Sequence, residues 1–208
     1  VAALDAAVAL GECQAVTAAL RRTLVALFAD REVGLPPQVL QPICDHYARR
    51  ELYTSPDLGY SVVAMTWGPG QGTHIHDHDG AWCVEGVWHG RLAITRYEPA
   101  ERDGERWRFE AVDDIEAAPG SAGSLIPPHE YHAIRNPQAD AVAVSLHVYQ
   151  HPLLRCHVFV PEDGASGPAG WTRRALAHRV PVAVGRVSYS RYLWHWPVFV
   201  LFRWTVGL

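Results

Sequence analysis

The stretch HIHDHDGAWCVEGVWHG, residues 74–90, sets His74, His76 and His78 at alternate positions and follows them with Cys83 and Gly90. In an extended strand alternate side chains share a face, so these imidazoles would point the same way. One ion can take two of them without distorting the strand. Spacing by itself leaves open which two, and a further ligand has to come from elsewhere in the fold. His132 is the best candidate, because GSLIPPHEYHAIRNP places it after a proline-rich turn that can aim it inward. Two histidines from one strand and one from a later strand make a three-nitrogen site with open positions, the pattern of a redox metal that also binds substrates. Neutral imidazoles leave the metal charge uncompensated, which favours anions arriving from solution, such as a thiolate or superoxide. Cys83 read alone is a small buried apolar residue; its place beside the histidines gives it a functional alternative. His46, His89, His151, His157, His178 and His195 read as surface or packing residues, with His74 and His129 between the two groups.

The elements that must position these groups change character along the chain. Leu20, Leu24 and Leu27 recur at helical spacing between Gln14 and Asp30, and GLPPQVLQPICDHYARR predicts a second, shorter helix after its prolines. Beyond Tyr53 come short β-rich runs, YSVVAMTW, AWCVEGVW, RLAITRYEP, RWRFEAV, AVAVSLHVY and CHVFV, separated by Gly, Pro and Asp clusters. That succession predicts a β-sandwich or barrel behind an N-terminal helical layer, and from GASGPAGW onward the composition changes again.

With 208 residues and 49% hydrophobic content, one main domain is expected. A net charge of −4 with scattered arginines offers no basic stripe, so nucleic acid is not an expected partner. The four cysteines, Cys13, Cys44, Cys83 and Cys156, include no CxxC pair, which suggests neither a zinc ribbon nor a disulfide framework. Together with Asp5 and Glu12 in an N-terminus that lacks a basic segment, this points to a cytoplasmic protein.

The segments WGPGQGTHIHDHDGAWCVEGVWHG and PPHEYHAIRNP resemble the two cupin motifs, and specifically those of the thiol dioxygenases related to cysteine dioxygenase. The resemblance covers about Tyr47 to Phe159. It implies a mainly β fold, a cupin-type β-barrel with N-terminal helices, divided as 1–46 (helical layer), 47–163 (barrel) and 164–208 (an atypical tail). Where many cupins carry a Glu after the HxH pair, this chain has Cys83, and the resemblance implies a three-His Fe(II) site of His76, His78 and His132. SLHVY matches the family's Ser-x-His-x-Tyr arrangement, so Ser145, His147 and Tyr149 would share one strand face. Tyr149 matches the tyrosine that family members join to the motif cysteine, which implies a Cys83–Tyr149 thioether crosslink. HYARRELYTSPDLGY resembles the segment whose arginine binds the substrate carboxylate, making Arg49 the candidate and Tyr47 its neighbour, with Arg50 a competitor that the sequence does not eliminate. One departure stands out, since the family's Ser-Pro-Pro after the tyrosine reads Gln150, His151, Pro152 here.

The resemblance implies oxidation of L-cysteine by O₂ to cysteine sulfinate by a monomer. The alternatives are the same chemistry on 3-mercaptopropionate or another small thiol, and a cupin that binds metal or thiol without turnover. A different likeness appears in the tail, where VGRVSYSRYLWHWPVFVLF, residues 184–202, resembles a short signature of integral-membrane acyltransferases. Its apolar run from Tyr192 to Phe202 is shorter than the roughly 20 residues a spanning helix needs, so no membrane partner is expected. A chain ending at Gly164 is expected to stay active.

Overall fold

The computed structural model describes residues 1–162 and 170–178. Helix α1 (Ala2–Val8) and helix α2 (Cys13–Ala29) come first. The Glu12 carboxylate caps α2 by accepting from the backbone N–H groups of Gln14 at 3.0 Å and Ala15 at 2.8 Å. Val16, Leu20 and Leu24 form the buried stripe of α2, each leucine contributing about 1.5–3 kcal/mol by burial. The shorter helix expected after the prolines is instead one 3-10 turn, Pro37–Leu40. Pro42 explains the early stop, because it disfavours a helical conformation at Gln41, which is extended with φ −85° and ψ 112°.

Among the described residues eleven strands follow: β1 (Ala48–Thr54), β2 (Ser61–Trp67), β3 (Ile75–His76), β4 (Cys83–His89), β5 (Leu92–Asp103), β6 (Arg106–Ala117), β7 (Ala122–Leu125), β8 (His132–Arg135), β9 (Ala143–Tyr149), β10 (Arg155–Pro161) and β11 (Trp171–His178). They build a five-stranded sheet in the order β1-β2-β9-β4-β7 and a six-stranded closed sheet in the order β10-β11-β6-β5-β8-β3. The fold is mainly β, a cupin-type barrel behind N-terminal helices, as expected. In the five-stranded sheet, β2 and β9 are buried along their whole length. One face meets α1 and α2 through Val62, Val84 and Val148; the other carries Val63, Met65, Cys83, Val87 and Tyr149 into the barrel interior. Burial on both faces is why these runs lack polar–apolar alternation. At Gly86 the helix packs so closely that a Cβ would stand 2.6 Å from the Phe28 ring.

Several strands go beyond the sequence expectation. β1 is an edge strand whose ARRELYT sequence has no apolar alternation, β3 is two residues long, and β7 and β8 are four each. Residues beyond 163 also contribute, because β11 pairs with β10 from Arg155↔His178 to Pro161↔Thr172 and with β6 at Trp171↔Arg108. Thr172 is buried and its Oγ1 donates to the Trp107 carbonyl at 2.9 Å. Trp171–His178, placed by the sequence in the atypical tail, therefore pairs into the closed sheet. A chain ending at Gly164 is expected to melt several degrees below one ending at His178, since in a domain of this size each 1 kcal/mol moves the midpoint by about 2–4 °C. Equal midpoints by circular dichroism would show that β11 adds no stability. The acyltransferase-like segment 184–202 lies outside the described residues. Among the described residues no helix is long and apolar enough to cross a membrane.

Candidate metal centre

Strand β3 ends at His76, and a turn through Asp79 (φ 55°) and Gly80 (φ 79°) follows. The three alternate histidines are therefore not on one continuous strand: His74 precedes β3, His76 ends it and His78 follows it, ahead of the turn. The His74 side chain is exposed, while His76 is half-buried and His78 is buried. The remaining partner comes from β8, where His132 stands directly across from His76 in the ladder. His76, His78 and His132 place one ligand nitrogen each within 4.8 Å of the others. Their ring centroids are 4.3 Å (76–132), 5.1 Å (78–132) and 5.5 Å (76–78) apart.

Their tautomers follow from their partners. His76 Nδ1 lies 3.1 Å from the His74 carbonyl and His132 Nδ1 lies 3.1 Å from the Glu130 carbonyl. A carbonyl only accepts, so each Nδ1 carries a proton and each Nε2 is the nitrogen left to face a metal. His132 Nε2 is buried without a hydrogen-bond partner, as is His78 Nδ1. Burial, then the nearby His132, lowers the His76 pKa to about 3. Burial and the neighbouring imidazoles hold His78 well below its ordinary value. Neutral, unprotonated nitrogens converging on one space are the form that binds a metal. Contacts behind the histidines hold the set in place. Asp77 Oδ2 pairs with His157 Nδ1 at 2.8 Å, its Oδ1 accepts from the His157 N–H at 2.8 Å, and Glu130 Oε2 accepts from the His78 N–H at 3.3 Å. Asn136, just beyond β8, donates from Nδ2 to the carbonyls of Trp67, Gly68 and Ala141 at 3.0, 3.1 and 2.8 Å.

Beside the triad the register of the five-stranded sheet lines up the other expected residues. Cys83 faces Tyr149, Glu85 faces His147 and Val87 faces Ser145 across β4 and β9. Cys83 is 0% and Tyr149 1% exposed, and burial pushes both the thiol and the phenol well above their ordinary pKa values. Trp67 Nε1 donates to Ser145 Oγ at 2.9 Å, and that oxygen lies 2.8 Å from His147 Nε2. Trp67 has no acceptor, so the arrangement that satisfies all three groups has Ser145 donating to Nε2 and leaves the His147 proton on Nδ1. Nδ1 then faces the Glu85 carboxylate, 3.2 Å away, and the Cys83 sulfur, 4.0 Å away.

Arg49 and Arg50 part ways at the sheet. Arg49 pairs with Met65, on the barrel side, and its Cζ lies 5.8 Å from the Tyr149 ring centroid with Nε buried and unpartnered. Arg50 pairs with Ala64, on the other face, and donates to Thr66 Oγ1 at 2.9 Å and the Gln41 carbonyl at 2.6 Å. Tyr47 stacks on Trp67 with centroids 4.6 Å apart. His129 is exposed and paired with Glu98 at 2.8 Å, away from the triad.

Glu85 and Trp67 were missed by the sequence reading. Glu85 had a signal, since it lies two residues after Cys83 in a strand and so shares its face. Trp67 had none, because its partner Ser145 is 78 residues away. A cavity of about 390 Å³ adjoins the site through Glu85 and Ser145, between Val87, Ile94 and Ile134.

A model of the family described as cysteine dioxygenase type I matches residues 43–162. Cysteine dioxygenase type 1 of Danio rerio is 28% identical over 108 residues, 50% of this chain and 52% of that protein. The Rattus norvegicus protein of the same name is 26% identical over 106 residues, again 50% and 52%. The chain spans about half the length of these curated relatives. Among solved structures, a Thermus thermophilus protein is similar with a TM-score of 0.43 and 20% identity, over 57% of this chain and 95% of that one. A cupin superfamily protein from Desulfitobacterium hafniense is similar at 0.39 and 16%, over 57% and 91%. The family match takes in more than half of the sequence and all the residues assembled above, and the chain belongs to the cysteine dioxygenase type I family.

Proposed function

We propose that this chain is an iron(II)-dependent thiol dioxygenase that converts L-cysteine and O₂ to cysteine sulfinate. The observation that carries the reading is the convergence of three imidazoles, His76, His78 and His132, on the barrel face that also presents Arg49. The donor set fits the implied metal: the buried His132 Nε2 has no hydrogen-bond partner, and the carbonyls on His76 and His132 hold each Nδ1, leaving each Nε2 directed away from the backbone. Bound iron(II) would supply the Lewis acidity that keeps the substrate thiol ionised and the redox chemistry that lets it react with O₂. That acidity matters because a free thiol of pKa about 8.5 is only a few per cent thiolate at pH 7. The reaction balances without a further reductant, since RSH and O₂ together contain the atoms of RSO₂H.

The remaining residues bind and orient. Arg49 clamps the substrate carboxylate, and Tyr47, stacked on Trp67, forms the wall beside it. Ser145 and His147 form a hydrogen-bonded relay on the interior face, ordered by Trp67. Cys83 and Tyr149, cross-strand neighbours, form the thioether crosslink. Directly opposed residues on antiparallel strands have Cβ atoms about 4.5–5.5 Å apart, within reach of such a bond.

Loaded anaerobically with Fe(II), the purified protein is expected to consume O₂ with L-cysteine and release the sulfinate. Full activity without iron would overturn the proposal, and faster turnover of 3-mercaptopropionate would reassign the substrate. Turnover is also expected to join Cys83 to Tyr149. The new C–S bond replaces one hydrogen on sulfur and one on the ring, both removed by O₂, so a peptide mass spectrum would show the linked pair lighter by two hydrogens. Cys83→Ser is expected to abolish that change and keep part of the activity. A linked peptide lacking either residue would refute the assignment.

A further inference from the structure

Strand β3 by itself gives the metal histidines little support. It is two residues long, and its ladder consists of Phe159↔Ile75 and Val158↔His76 toward β10 and His76↔His132 toward β8. What holds the chain between His76 and His78 is Asp77, which is buried and bonded to His157 of β10 in three places. Its N–H donates to the His157 carbonyl at 3.2 Å, its Oδ1 accepts from the His157 N–H at 2.8 Å, and its Oδ2 lies 2.8 Å from His157 Nδ1. The third bond needs a proton on Nδ1, and a neutral imidazole can put its single proton on either nitrogen.

Arg174 settles that choice. On β11 it stands opposite Phe159, and its N–H donates to the Glu105 carbonyl at 2.8 Å. His157 lies two residues before Phe159 on β10 and so on the same face, diagonal to Arg174 and within reach of a long side chain. The Arg174 Nη2 is 2.8 Å from His157 Nε2. A guanidinium has no acceptor, so Nε2 accepts and the ring proton is left on Nδ1, facing Asp77.

We infer that Arg174 is a positioning residue of the metal centre. By donating to His157 it fixes the tautomer that clamps Asp77, and Asp77 sets the direction in which the His76 and His78 side chains project on either side of it. The arginine acts through two other side chains, and it lies beyond the family match, which ends at residue 162. Strand β11 thus does more than close the sheet, since it reaches the metal histidines by way of Arg174. This inference rests on the metal-centre reading above.

Two measurements test it: titration of Co(II) into the protein under nitrogen, read by visible absorption, and NMR of the imidazole nitrogens in the metal-free protein. In the parent the His157 ring is expected as the Nδ1–H tautomer. Arg174→Met, which keeps the side-chain length and removes the donors, is expected to lose that fixed tautomer and to alter the ligand-field bands. It is expected to weaken Co(II) binding about three- to tenfold, less than the roughly 10–100-fold cost of losing a contact made directly to a metal ligand. Arg174→Lys, which restores a donor, is expected to recover most of both. Arg173→Met removes the neighbouring exposed guanidinium, paired with Glu162 at 3.4 Å, and is expected to leave tautomer, affinity and bands unchanged, which controls for damage to β11. A His157 proton on Nε2 in the parent would overturn the inference even if the Arg174→Met protein fails to fold. So would an unchanged Co(II) affinity in Arg174→Met, or an equal loss in Arg173→Met. A parent that binds no Co(II), or binds it as well after His132→Ala, would overturn the metal-centre reading itself, so the two failures are distinguishable.

Discussion

Replacing His132 with alanine is expected to remove iron and dioxygenase activity together. The imidazole is fully buried, holds its Nδ1 proton on the Glu130 carbonyl and keeps Nε2 free of hydrogen bonds, so its loss deletes one of the three nitrogens outright. Even outer contacts to a metal site cost about 10–100-fold in affinity when removed, and a direct ligand is expected to cost more than 100-fold. Metal content after anaerobic loading and desalting, read beside oxygen uptake, checks this. His76→Ala is expected to behave the same way. His74→Ala and His129→Ala serve as controls within about twofold of the parent, because the first side chain is exposed and the second is paired with Glu98 at the surface. A His132→Ala protein that retains one iron per chain would remove the basis for the proposed function.

Substitution of Arg49 by glutamine is expected to raise the KM for L-cysteine by one to two orders of magnitude while leaving cysteamine, which has no carboxylate, no worse a substrate. A charge-assisted hydrogen bond is worth about 1.5–3 kcal/mol, and each 1.4 kcal/mol is about tenfold in affinity. The guanidinium stands on the barrel side of β1, over Tyr149, with Nε unpartnered. Arg50→Gln tests the competitor: its guanidinium is committed to Thr66 and the Gln41 carbonyl on the opposite face, so that variant is expected to lose stability and keep its KM. An unchanged cysteine KM in Arg49→Gln would strip that residue of the role.

Long-period patterns were legible in the sequence, and short ones were not. Helix α2 followed from the spacing of Leu20 and Leu24, and its observed span, Cys13–Ala29, lies within one residue of the expected one at each end. Six strands coincide with the β-rich runs because their apolar content came from burial in the barrel and against the helices. Strands β3 and β8 are not among the β-rich runs because two and four residues carry no periodicity, and the sequence pointed to them only through the alternate histidines and the turn ahead of His132. The second helix failed for a local reason, a proline at 42 that the apolar pattern did not weigh.

The chemistry of the site divides in the same way. The histidines at 76, 78 and 132 and the cysteine at 83 could be picked out by residue type and by likeness to cupin motifs, because metal binding constrains identity more strongly than position. Other assignments depended on tertiary structure. Whether Arg49 or Arg50 faces inward is a question of register, decided when Arg49 was paired with Met65 and Arg50 with Ala64. Which histidines converge was decided by the end of β3 at His76 and by the His76↔His132 pairing, which joins residues 56 positions apart by the ladder of β3 and β8. Glu85 acquired its place in the same manner. A glutamate in a strand is ordinarily a solvated side chain, and only closing the barrel over β4 turned this one into a buried charge facing His132 and His147. Residue type sets which bonds a side chain can make; the folded chain sets which of them remain to be made once water has been excluded.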